Sequence, residues 1–172
     1  MSKRRQGGFT LIELIVVISI IVILVGTLLT RTSGYQERAE KVAMQQVAGA
    51  LQDALTMEYG RLMTHGKAAQ VSELVAENPM NWLSKIPQNY SGEFYAPTPR
   101  SVAPGHWVFD LRSRELIYVV NRGEHFTPDK DGNKWVRYHV RLVYERLPGD
   151  TEKGLTGVLF EPVRPYSWFG SE

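Results

Sequence analysis

From Phe9 to Leu29 the chain is apolar apart from Ser19, Gly26, two threonines and one charge, Glu13. As a helix this run is about 31 Å long, close to the thickness of bilayer hydrocarbon. Its many β-branched residues do not oppose a helix there, because backbone polar groups in lipid must satisfy one another. A carboxylate inside a spanning segment costs about 2.5 kcal/mol or more, so it is rare and points to a function. The segment therefore fixes one end of the molecule as a membrane helix with an acid near its start.

Lys3, Arg4 and Arg5 precede the run. Positive charge on that side predicts a cytoplasmic N-terminus and an exported body. A secretory signal peptide would carry a shorter apolar core with a small-residue cleavage site after it. Here the small-residue site, Gly7-Gly8, lies before the run. Cutting there would leave the apolar segment in the mature chain. A plain membrane anchor would give no reason for Glu13.

Gly7-Gly8-Phe9-Thr10-Leu11-Ile12-Glu13-Leu14-Ile15 resembles the processing signal of type IV prepilins and type II secretion pseudopilins. The resemblance covers residues 4–35. It implies cleavage after Gly8 by a prepilin peptidase and N-methylation of the new Phe9 amine. It also implies an α+β pilin fold: a long N-terminal helix, half membrane-embedded and half amphipathic, on a small antiparallel sheet. The residues agree chemically. Phe9 and Glu13 stand four apart, one helical turn, on one face. A carboxylate in low dielectric needs a cation, and cleavage would supply one, on the same chain or on a neighbour. The resemblance favours the neighbour, which gives Glu13 a role in assembly.

The expected divisions are a leader over 1–8, a transmembrane and assembly helix over 9–29, an amphipathic continuation over 30–63 and a globular head over 64–172. No proline interrupts Thr30–Met63. Val42, Val47, Leu51, Ala54, Leu55 and Leu62 recur near helical spacing. Glu37, Arg38, Glu40, Lys41, Gln45, Gln46, Gln52 and Asp53 supply a wet face. Gly26, Gly34, Gly49 and Gly60 are weak points, each costing about 1 kcal/mol relative to alanine. A short helical stretch is expected at Gln70–Ala76 and a short strand near Glu93–Ala96. A hairpin follows from His106–Leu111 and Glu115–Val120. Lys134–Arg146 alternates, with Val136, Tyr138, Val140, Leu142 and Tyr144 on one face. Gly157–Glu161 completes the set.

Several function classes drop out. There are no cysteines, hence no disulfide, thiolate metal site or cysteine nucleophile. Many type IV pilins close a C-terminal loop with a disulfide, so its absence leans toward a pseudopilin or minor pilin. Without Lys3, Arg4 and Arg5, the 20 basic residues fall to 17 against 18 acidic ones. No nucleic-acid partner is expected from that balance. His65, His106, His125 and His139 lack metal-ligand spacing, and no catalytic motif appears. Asp110 and Glu115 flank a turn and read as solvated. Asp129, Asp131 and Asn133, around Gly132, are weak calcium candidates, since alternate oxygen side chains suit that ion. The nearby distal glutamate is missing, and a plain turn is the simpler reading. No other cofactor is expected. Trp168 and Phe169 read as a cover for the sheet, with a partner-contact surface as the alternative.

The resulting reading is a non-enzymatic subunit of a pilus-like filament serving secretion, adhesion or motility. Its expected partners are prepilin peptidase, other pilin or pseudopilin subunits, an inner-membrane assembly platform and the membrane itself. The alternative is a membrane-anchored periplasmic domain that binds a ligand or acts as an enzyme without forming filaments.

Overall fold

The computed structural model of the chain describes residues 10–146 and 153–170, with the side chains of residues 29–33 outside that description. One α-helix, α1, spans Leu11–Thr64. Thr10 starts it: its Oγ1 accepts the Glu13 N–H at 3.3 Å and its carbonyl accepts the Leu14 N–H at 3.2 Å. A threonine before an apolar helical run suits this capping role. Gly26, Gly34, Gly49 and Gly60 all lie within the helix. By compactness the chain forms two units, residues 1–38 and 39–172.

In the second unit, 3-10 turns at Ala68–Val75 and Pro79–Trp82 follow the helix. Five strands come next: β1 (Tyr90–Phe94), β2 (Trp107–Asp110), β3 (Glu115–Val119), β4 (Trp135–Arg146) and β5 (Lys153–Pro162). They lie side by side in chain order in one sheet. β2, β3, β4 and β5 pair antiparallel with their neighbours. β1 is parallel to β2, a departure from the all-antiparallel expectation. The turn-rich segment between the two strands carries the chain back, so both run in one direction.

The inner face of the sheet and the 44–62 stretch of α1 share one core. Met44, Leu51, Leu55 and Leu62 from the helix cluster with Trp107, Phe109, Leu116, Tyr118, Val136, Tyr138, Val140, Val158 and Phe160. Val47, Ala48 and Tyr59 pack at its margin. Val42, expected inward, is 51% exposed. On the outer face Val102, Val108, Ile117, Val119 and Trp135 form a second cluster with Phe94. β2 is consequently buried at every position, which conceals its alternation.

β4 alternates as its sequence predicts until Leu142. A register shift between Val143 and Tyr144 then breaks the pattern. The extra residue is Thr156 in β5, which lies between the partners of Val143 and Tyr144. Tyr144, expected inward with Leu142, is 52% exposed.

Candidate assembly helix and head clamp

Gly8 and Phe9, the expected cleavage and methylation positions, lie outside the described residues. Glu13 is in the first turn of α1 and is exposed. Around it, Leu11–Leu28 is long and apolar enough to cross a membrane, and none of it is buried within the chain. Ser19 and Thr27 turn their hydroxyls back onto the Ile15 and Leu24 carbonyls, at 2.8 and 2.9 Å. That bonding removes two polar groups from the apolar surface. Among the described residues, Glu13 meets Thr10 through its backbone N–H. Such a surface favours leaving water for lipid or for other apolar helices, and the single acid within it is costly there.

Past residue 38, several supposed wet-face residues turn out to be structural. Glu37 is buried. The Glu40 carboxylate accepts three hydrogen bonds, from the Tyr118 hydroxyl at 3.0 Å and the backbone N–H groups of Asn121 and Arg122 at 2.7 and 2.8 Å. Burial, with the adjacent Glu40 charge and its hydrogen bond, holds the Tyr118 hydroxyl well above its ordinary range. Lys41 Nζ donates to the Trp168 carbonyl at 3.1 Å. Gln52 reaches β5. A hydrophobic-pattern reading assigns these polar residues to solvent because it sees side-chain type and not the backbone groups opposite.

The Glu40-bound turn is itself tight. A Cβ on Gly123 would lie 3.1 Å from Val120 Cγ1 and 3.2 Å from Phe126 Cβ. Trp168 is 1% exposed and meets Phe126 edge-on at 5.4 Å. Phe169 stacks on His125 at 5.1 Å. Phe126 and Trp168 also form a β-bridge. The C-terminal segment is thus a strap across the head, as the cover reading expects.

Asp110 and Glu115 are not solvated. Asp110 is 5% exposed. Its Oδ1 accepts the Ala96 N–H at 3.0 Å and the Arg112 N–H at 2.9 Å, and its Oδ2 accepts the Ser113 hydroxyl at 3.0 Å. Burial by itself pushes the carboxyl up, but these hydrogen bonds to the charged form outweigh it, and the Asp110 pKa lies below its ordinary value. Glu115 pairs with Arg137 at 3.0 Å.

At the calcium candidates, one Asp129 oxygen accepts the N–H groups of Asp131 and Asn133, at 3.0 and 2.8 Å. Asp129 and Asn133 also bond through their backbones at 3.0 Å, and Gly132 has φ 78°. These bonds build a glycine-dependent turn, in which an oxygen that would face an ion is occupied by backbone.

A family model described as the prokaryotic N-terminal methylation motif matches residues 3–29. With the helix-on-sheet head, that motif defines the class as pilin-like subunits. Type II secretion system core protein G of Aeromonas hydrophila is 42% identical over 145 residues, covering 77% of this chain and 95% of that protein. The chain belongs to the family of type II secretion core protein G, the pseudopilins. No solved structure matches it. It is a pseudopilin-type or pilin-type structural subunit. Homology to a structural subunit implies a non-enzymatic role, and the apolar helix fits anchoring in the inner membrane.

Proposed function

We propose that this subunit is a secretion pseudopilin, made as a precursor, cut after Gly8 and methylated at the Phe9 amine. Its N-terminus faces the cytoplasm and its head the periplasm before it enters a pseudopilus. Leu11–Leu28 leaves lipid and packs among the same segments of other subunits, on an inner-membrane assembly platform. Glu13 meets the amine of a neighbouring subunit, which neutralises the acid and sets the stagger between chains. Calcium is not required in this reading, since the Asp129 turn closes on its own backbone.

The observation that carries the proposal is the wholly unburied apolar helix with one acid in its first turn. None of the described residues covers that surface. The test is Gly8→Ala expressed with the cognate peptidase. Intact mass should show the precursor retained, heavier than the processed chain by the first eight residues. Normal processing of that variant would refute the cleavage site. Processing at another bond of the wild-type chain would refute the Glu13–amine pairing with it.

A further inference from the structure

β5 is an edge strand, and an edge strand presents N–H and C=O groups that another strand can take. On this edge, two of them are already taken by a side chain. Gln52 Oε1 accepts the Phe160 N–H at 2.6 Å, and Gln52 Nε2 donates to the Val158 carbonyl at 3.3 Å. One residue of a parallel neighbouring strand, lying beside Leu159, would make this same pair of bonds. The carboxamide has the donor and acceptor of a peptide group and spans the same gap. It is held from behind as well. Its Nε2 also donates to Thr56 Oγ1 at 3.0 Å, and the Thr56 hydroxyl donates to the Gln52 carbonyl at 2.8 Å.

We propose that Gln52 is a strand surrogate that closes the β5 edge against β-pairing with a second copy of this chain. The inference rests on hydrogen bonds inside the head and stands whether or not the chain is a pseudopilin. If it is one, the device has a purpose, because filament assembly brings many heads close together. An amide on a helix ends the sheet after five strands, where an open edge would recruit a sixth from a neighbour.

The test is amide hydrogen exchange at Phe160 in the full chain in detergent micelles. In Gln52→Leu, dilute, Phe160 should exchange about tenfold faster or more, with protection of β3 and β4 retained. At high concentration protection should return in that variant, as a second copy's strand fills the edge. Unchanged exchange when dilute would overturn the surrogate, and no return at high concentration would overturn the guard. Should Gln52→Leu not fold, Gln52→Glu decides. It keeps the acceptor for Phe160 and loses the donor for Val158. Phe160 protection should persist in it, and its loss would overturn the proposal. None of these readouts involves cleavage after Gly8, so the two readings fail separately.

Discussion

Leu14 and Leu51 lie in the same helix, yet Leu14 is 52% exposed and Leu51 is fully buried. The difference is in their neighbours along the sequence. Around Leu14 the helix is apolar on every side but that of Glu13, so no apolar stripe is set apart from a wet face. Around Leu51 the apolar residues form a stripe, and a sheet covers it. The first pattern is a surface for lipid or other subunits, and the second is a surface for the chain's own head. Stability and assembly should therefore respond to different substitutions.

Glu13→Ala should separate them most sharply. Filament incorporation, measured by shearing and immunoblot, should be lost, while the melting temperature of the head stays unchanged. Incorporation at wild-type level would break the comparison, since the bare segment would then assemble without its acid. Trp107→Ala should do the reverse. Trp107 is fully buried, against Tyr118 at 5.0 Å and Tyr138 at 5.8 Å. Its loss should cost about 3–5 kcal/mol in denaturant unfolding, with membrane insertion intact. Trp107 Nε1 has no hydrogen-bond partner among the described residues, so the loss is one of packing.

Asp110→Asn should cost about 1–3 kcal/mol at neutral pH. It should also flatten the acid limb. Because the folded pKa of Asp110 lies below the unfolded one, the wild-type contribution is complete above the ordinary value near 3.8 and fades as pH falls through the folded value. Melts of both proteins from pH 7 to pH 2 should converge at the acid end. Arg141→Ala should matter least. Its ion pair with Glu161 is solvent-exposed, and water screens such pairs so that little stability depends on them. A larger loss would mean that the outer face of β4 has a role beyond solvation.

The membrane half was readable from sequence because its information is local. The methylation motif over residues 3–29 is recognisable by its spacing, and the apolar run needs no partner to be recognised. The strands were readable where one face is wet, as in β4 up to Leu142. β2 was harder, since the second cluster buries Val108 as well as Trp107. The bulge at Thr156, opposite Val143 and Tyr144, and the parallel pairing of β1 depend on how two strands meet, which one strand's pattern does not encode. Glu40, Lys41, Gln52 and Asp110 were misread together for a shared reason. Each bonds to backbone groups, far away in sequence for Glu40, Lys41 and Gln52 and nearer for Asp110, and no periodicity marks a carbonyl or N–H as waiting for a side chain.

The order of the strands in the sheet carries one more consequence, for kinetics. Each strand lies beside the one made just before it, so every pairing joins strands adjacent in sequence, at modest entropic cost. The late step is the docking of α1, whose Glu40 must wait for backbone donors 81 and 82 residues further along. Synthesis thus delivers the helix first and its anchor points last, and until they arrive the Met44–Leu62 stripe is uncovered. Refolding from denaturant should show sheet formation ahead of Tyr118 burial, with substitutions at Glu40 slowing only the second phase.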